Sequence, residues 1–103
     1  MASMVNSVML IGIPSKPEEA IKYNKTQVTF TLRVTEHIAG KTIETDFLCV
    51  ASDRQAERAV YRIEEGKRVA VEGRLRAKPT KGKSEGKYQQ TYVEVTDFFI
   101  IDK

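Results

Sequence analysis

Residues 69–76 of this 103-residue chain read Val-Ala-Val-Glu-Gly-Arg-Leu-Arg. Val69, Val71 and Leu75 alternate with polar residues, which predicts a strand with one buried face and one exposed face. Gly73 falls on the buried face, where the missing side chain permits a sharp bend. A bent strand is typical of a small closed barrel, because closure requires strands that tilt and curve. This stretch therefore favours an all-β barrel.

Four further stretches predict strands around this one. Residues 27–35 give the strongest signal, because apolar and polar side chains alternate there without interruption. Residues 15–25 are polar and predict a loop, and residues 37–41, which include Gly40, predict a hairpin turn. The five predicted strands cover residues 5–13, 27–35, 44–51, 68–78 and 88–97.

One segment between the third and fourth strands has helical spacing. Ser52 and Gln55 have the separation of a capping box, and four apolar residues between positions 56 and 63 would share one helix face. Gly66 suits a C-terminal cap. Three strands, one short helix and two strands is the order of the OB fold, a five-stranded Greek-key barrel.

Composition narrows the class of protein. With 41% apolar and 30% charged residues, residues 1–103 predict one globular domain. The single cysteine excludes an internal disulfide and a cysteine-based zinc site. The chain contains no apolar run of about 18 residues, and its first residues lack the features of a signal peptide. We expect a protein of the cytoplasm or of an organelle, without a cofactor or metal.

Catalysis is not predicted. The only histidine and the only cysteine, His37 and Cys49, fall on separate elements and form no set of nucleophile, base and orienting group. Gly82 and Gly86 lie between predicted strands, so they do not form a phosphate-binding loop before a helix. We expect a binding protein rather than an enzyme.

Basic charge is concentrated in one segment. Residues 67–87 contain eight basic and two acidic residues, a local charge of +6, whereas the whole chain carries +3. Such a concentration directs a polyanion to one surface. On the outward strand faces, Arg33, Arg74 and Arg76 are predicted phosphate contacts. The predicted hairpin after residue 77 adds a flexible clamp of four lysines: Lys78, Lys81, Lys83 and Lys87.

Aromatic side chains add possible stacking surfaces for bases. If Leu48 and Val50 face the core, then Phe47 faces outward together with Thr45 and Cys49, and is available to stack on a base. If the register is shifted by one residue, Phe47 belongs to the core instead. Two tyrosines share one face of the fifth strand and could serve either base stacking or a subunit interface: Tyr88 and Tyr92.

Four segments carry a resemblance to a known family. Residues 6–12, 28–36, 45–50 and 65–76 are similar to the strands of bacterial-type single-stranded DNA-binding proteins, and the last of these is the most specific. The resemblance implies an OB fold that binds single-stranded DNA with little sequence preference, in replication, recombination or repair. It also implies a homotetramer or homodimer, with replication proteins as further partners.

Departures from the family pattern leave alternatives open. The chain has no Trp. The family's other stacking positions fall near Ile38, near Ser52 or Asp53, and near Thr80, so binding should be weaker or depend more on charge. Residues 101–103 do not resemble the family's acidic C-terminal tail. The loop lysines are similar to those of the primosomal replication protein N family. A protein–protein adaptor of the same fold and an RNA-binding protein are further readings of this sequence.

Overall fold

The computed structural model describes residues 4–22, 25–79 and 89–102. These ranges contain one helix and six strands, in the order strand, strand, strand, strand, helix, strand, strand. The elements are β1 (Val8–Pro14), β2 (Glu18–Lys22), β3 (Lys25–Ile38), β4 (Lys41–Ser52), α1 (Arg54–Arg62), β5 (Val69–Pro79) and β6 (Gln89–Ile100).

Five of the strands close into a barrel. The order is β1-β5-β6-β4-β3, and β1 also pairs with β3, which joins the two ends. The first part of β1 pairs with β5, and its last residues, Ile13 and Pro14, pair with Arg33 and Leu32 of β3. The OB fold predicted from the sequence is confirmed.

The strand β2 was not predicted. Residues 18–22 pair in antiparallel register with residues 25–29 at the start of β3, so the predicted loop over residues 15–25 is wrong at its centre. The segment lacks an apolar face, and its pairing satisfies backbone groups along an otherwise open edge of β3. The strand therefore has no period-two apolar pattern to detect in the sequence.

The core fills the barrel and extends under α1, whose Ala56 and Ala59 are fully buried. Val60, which was assigned to the same helix face, is 41% exposed. No buried polar or charged residue occurs within the described ranges. The barrel strands contribute Val28, Phe30, Leu32, Cys49, Ala51, Val69, Val71, Val93, Val95 and Phe98.

The predicted facing of β4 is wrong. Cys49 and Ala51 are fully buried, and Cys49 lies opposite Phe30 of β3 and beside Val93 of β6. Leu48 and Val50 are half-buried on the outward row. Both rows of β4 contain apolar residues, so the alternation alone does not say which row is inside. Pairing with the unambiguous row of β3 decides it.

The ends of α1 also differ from the prediction. The N-cap is Asp53, which makes no side-chain capping bond. The Gln55 amide instead donates to the Thr96 carbonyl at 2.8 Å, so Ser52 and Gln55 form no capping box. At the other end, the C-cap is Ile63, whereas Gly66 lies in the following turn with φ of 84°.

Two predicted glycine positions are confirmed. Gly73 is buried at a β-bulge between β5 and β6, where a Cβ atom would lie 2.3 Å from the Glu94 carbonyl oxygen. Ala39 and Gly40 both have positive φ, 51° and 76°, and form a two-residue turn between β3 and β4. Positive φ at both central residues suits the right-handed twist of a hairpin.

Candidate nucleic-acid interface

Two hairpins extend from the same end of the barrel. β4 and β6 run parallel and pair at Cys49–Val93 and Val50–Glu94. On the N-terminal side of these positions, each strand pairs with the other strand of its own hairpin. Phe47 of β4 pairs with Leu32 of β3, and Tyr92 of β6 pairs with Arg76 of β5. We call residues 33–46 the first arm, and residues 74–79 with 89–94 the second arm.

The second arm carries two arginines on its outward face. Arg74 lies opposite Glu94, and Arg76 lies opposite Tyr92. Arg76 donates through Nε to Glu94 Oε2 at 3.3 Å and through Nη2 to Oε1 at 3.3 Å. Arg74 Nη1 lies 3.9 Å from the same Oε1 atom. The structure thus places Arg74 and Arg76 side by side on an exposed face, with one carboxylate between them and the half-buried Tyr92 next to them.

Arg33 lies on the outward face of the first arm, opposite Asp46. Its Nε donates to Asp46 Oδ1 at 2.9 Å and its Nη2 donates to Oδ2 at 3.2 Å, while Glu44 lies 3.6 Å away. These hydrogen bonds raise the pKa of Arg33 and lower the pKa of Asp46. Bidentate pairing of this kind is the strong form of an arginine–carboxylate contact. Arg76 and Glu94 have the same bidentate arrangement, but the contacts of Arg33 are shorter and a second carboxylate lies nearby, so Arg33 is held more firmly.

The three arginines share one continuous sheet surface. Arg33 is on β3, β4 lies between β3 and β6, and the Val50–Glu94 pair connects the outward rows of β4 and β6. The three carboxylates paired with these arginines, Glu44, Asp46 and Glu94, were not predicted from the sequence. Only the cross-strand register brings them to the arginines, so local spacing carries no signal for them.

Phe47 does not share this surface. It lies opposite Leu32 and in the same row as Cys49, so it faces the opposite side of β4 from Asp46. Its predicted outward orientation is wrong, for the same reason that the facing of Cys49 was wrong. The side chain is nevertheless only partly buried, because it lies beyond the buried end of the barrel core. Its role in stacking stays a prediction.

Several predicted contacts cannot be placed with the others. Lys81, Lys83, Lys87 and Tyr88 lie outside the described residues. Lys78 belongs to β5 and pairs through its backbone with Gln90 of the second arm. The described part of β5 therefore leads from Arg74 and Arg76 directly toward the lysine-rich segment.

A groove runs along the outward face of β3 beside Arg33. It has a volume of about 290 Å³ and is bounded by Ser15, Thr31 and the turn at Glu65. A neighbouring groove of about 370 Å³ shares these three residues and adds Leu48. Hydroxyl groups, apolar carbon and charged side chains of both signs line this surface, the charged ones being Arg33, Asp46 and Glu65 in the first groove and Lys16, Glu18 and Glu65 in the second.

A different face of the barrel is apolar and exposed. Ile11 of β1 lies opposite Ala70 of β5, and Ala70 lies opposite Phe99 of β6. Ile11 and Phe99 are 53% and 51% exposed, and the neighbouring Met9 is 57% exposed. Exposed apolar side chains in one contiguous row are typical of a protein–protein contact.

Within the described ranges, the structure gives little support for metal binding or nucleophilic catalysis. They contain no group of three or more His, Cys, Asp or Glu residues arranged to hold a metal ion. Burial raises the pKa of the Cys49 thiol to about 12, so the thiol is not an activated nucleophile. Among these residues, no helix is long and apolar enough to cross a membrane.

Comparison with known proteins agrees with this architecture. Residues 5–100 match the model of the single-strand binding protein family. The fold is similar to a small single-stranded DNA-binding protein from Streptomyces coelicolor, with 20% identity, 96% of each chain covered and a TM-score of 0.74. It is also similar to the Plasmodium falciparum SSB in complex with single-stranded DNA, with 21% identity, 99% of each chain covered and a TM-score of 0.84. No curated protein matches the sequence.

Proposed function

The chain belongs to the single-strand binding protein family and binds single-stranded DNA, and we propose that it does so mainly through phosphate contacts on the second arm. In this proposal Arg74 and Arg76 contact neighbouring phosphates, and the lysines that follow them along the chain extend the contact: Lys78, Lys81, Lys83 and Lys87. Arg33 contributes at the side of the same surface. The protein acts by binding, holding bases unpaired, without a chemical step.

One observation carries the proposal. Arg74 and Arg76 lie together on an exposed sheet face, and the strand that holds them leads into the most basic segment of the chain. Phosphate contacts read no sequence, because the backbone is the same at every nucleotide. This arrangement supports binding without sequence preference.

Stacking supplies the second part of the proposal. Tyr92 lies opposite Arg76 and is half-buried, so one side of its ring can meet a base beside a bound phosphate. We propose that Phe47, and Tyr88 outside the described residues, provide further ring surfaces. Each base stacked on an aromatic side chain contributes about 1–3 kcal/mol. With no Trp in the chain, the charge contribution should dominate.

Titration of fluorescein-labelled oligo-dT at several salt concentrations tests this mechanism. Replacing Arg74 by Ala should reduce the steepness of the salt dependence by about 0.7, which is the contribution of one phosphate contact on a single strand. Arg62→Ala is the matched control: it removes the same charge from the exposed surface of α1 and should leave the slope nearly unchanged. Equal slopes for the two variants would refute the phosphate assignment.

The stacking assignment has its own measurement. Tyr92→Leu and Phe47→Ala should each weaken oligo-dT binding while leaving the salt slope within error of the wild-type value, because a ring releases no counterions. If neither variant binds more weakly, the rings do not contact bases. Competition between oligo-dT and oligo-U then measures the preference between DNA and RNA.

We propose further that the protein is a homo-oligomer, a dimer or a tetramer, assembled through the apolar row formed by Ile11, Ala70 and Phe99. The support is the exposure of these side chains, together with Met9, on one contiguous face. Ile11→Lys places a charge in the row and should reduce the mass measured by light scattering. Unchanged mass would place the subunit contact elsewhere.

Roles in replication, recombination and repair are typical of this family. We propose that the protein acts on single strands exposed in these processes, in the cytoplasm and associated with the nucleoid.

A further inference from the structure

The arginines assigned to phosphate binding are not free in this structure. Glu94 Oε1 lies 3.3 Å from Arg76 Nη2 and 3.9 Å from Arg74 Nη1, so one carboxylate serves both guanidinium groups. The local charge of the three side chains is therefore one positive charge rather than two. A phosphate that reaches this face meets a carboxylate that already occupies the position between the arginines.

We propose that Glu94 is an internal competitor for phosphate, and that its displacement from Arg74 and Arg76 sets the affinity and salt dependence of single-strand binding. The inference rests on the proposed function of the two arginines. It adds a residue that limits binding, where the sequence pattern had indicated only residues that promote it.

The contact geometry supports displacement rather than permanent pairing. The two Arg76 hydrogen bonds are at 3.3 Å, which is longer than the usual 2.7–2.9 Å for a charge-assisted bond. The charged groups are also about half exposed, with side-chain accessibilities of 54% for Arg74, 44% for Arg76 and 41% for Glu94. Exposed ion pairs of this kind are weak, because water and salt screen them. A phosphate can therefore displace the carboxylate from both arginines.

The first arm provides a contrast within the same surface. Arg33 and Asp46 form a bidentate pair at 2.9 and 3.2 Å, with Glu44 at 3.6 Å. This pairing is shorter and involves two carboxylates, so phosphate should displace it less readily. Glu94 differs in that it contacts both arginines of the second arm, so one substitution there releases two guanidinium groups.

Glu94→Gln keeps the shape of the side chain and removes its charge. At moderate salt it should tighten oligo-dT binding about threefold to tenfold, because two exposed ion pairs no longer oppose phosphate contact. The salt slope should become steeper by about 0.7, equivalent to one additional phosphate neutralised by the arginines.

Glu72→Gln is the matched control. Glu72 lies on the same strand as Arg74, and it forms no ion pair with any residue in the described ranges. The substitution makes the same change in net charge but removes no ion pair, so it should alter affinity by less than about twofold, the range of a weak exposed charge effect.

The decisive measurement is a double-mutant cycle by fluorescence anisotropy with labelled oligo-dT. In a background that carries Arg74→Ala and Arg76→Ala, Glu94→Gln should have no larger effect than Glu72→Gln. Urea unfolding of each variant at fixed protein concentration checks that the fold is retained, and Arg76→Ala alone provides a second partner for the cycle.

The outcomes separate the two proposals. If the wild-type protein binds oligo-dT, and Glu94→Gln binds no more tightly than Glu72→Gln, the competition is refuted and the proposed function stands. Weaker binding by Glu94→Gln would show that the carboxylate positions the arginines, which also overturns the competition. If the wild-type protein does not bind oligo-dT even at low salt, both the competition and the proposed function are refuted.

Discussion

Replacing Gly73 by Ala should destabilise the barrel and weaken DNA binding together. A Cβ atom at this position would lie 2.3 Å from the Glu94 carbonyl oxygen and 2.9 Å from Val93 Cγ1. Neither neighbour can retreat easily, because one is backbone and the other belongs to the packed core. The added methyl group must therefore push β5 away from β6 at the bulge.

The expected magnitude follows from two opposed effects. Overpacking of a tight interior contact costs about 1–3 kcal/mol, whereas the lower backbone entropy of Ala in the unfolded chain offsets about 0.4–1 kcal/mol. We expect a net loss of about 1–2 kcal/mol in the free energy of unfolding. The displaced backbone belongs to Glu94, so oligo-dT affinity should change in the same variant.

Urea unfolding followed by far-UV circular dichroism measures the loss, at one fixed protein concentration because assembly would shift the midpoint. Gly40 provides the control, since no atom lies within 4 Å of its added Cβ and only its φ of 76° opposes Ala. Asn tolerates that backbone conformation, so Gly40→Asn should be nearly neutral, whereas Gly73→Asn should be worse than Gly73→Ala. A Gly73→Ala protein as stable as the wild type would refute the steric argument.

Three further outcomes are expected. Ala39→Asn should stabilise the hairpin by about 0.5–1 kcal/mol in urea unfolding, because Asn accepts the positive φ that strains Ala; an unchanged midpoint would contradict this. The hydrogen bond from Arg58 lowers the pKa of Asp97 below 3.8, so its stabilisation is complete above that pH and is lost as pH falls through the lower folded value. In Asp97→Asn, the free energy of unfolding should fall less steeply as the pH decreases in the acid range. The same pH dependence as in the wild type would show that the Arg58–Asp97 pair contributes nothing. The Cys49 thiol, fully buried and with its pKa raised to about 12, should react with DTNB at pH 8 only after unfolding in urea, and rapid reaction of the native protein would mean that β4 opens.

The fold was largely predictable because its signals are local. The alternation in residues 27–35 and the glycine at position 73 each act within one strand, and both predicted features are present in the structure. The strand β2 was missed because neither of its alternating rows of residues is apolar in the sequence, so it leaves no period-two pattern. The predicted capping box was wrong because Gln55 has a hydrogen-bond partner 41 residues away, the Thr96 carbonyl.

The candidate site likewise combines features that the sequence predicts with features that only the structure shows. The residue types and their clustering indicated a surface for a polyanion, since the charge of residues 67–87 is a property of the sequence itself. Which arginines are paired, and how firmly, depends on cross-strand neighbours such as Glu94 and Asp46. Those neighbours are set by the register between strands distant in the chain, which no local period specifies.

The sequence by itself determined the order of the five barrel strands and the helix, the position of Gly73 on the buried face and the concentration of basic charge, because each follows from residue spacing within a short segment. Tertiary structure alone decided that Cys49 lies inside and that Phe47 shares its row, because both rows of β4 are apolar enough to be buried. The choice was made by the partner strand β3, whose apolar side chains occupy a single row and bring the opposing residues of β4 into the core.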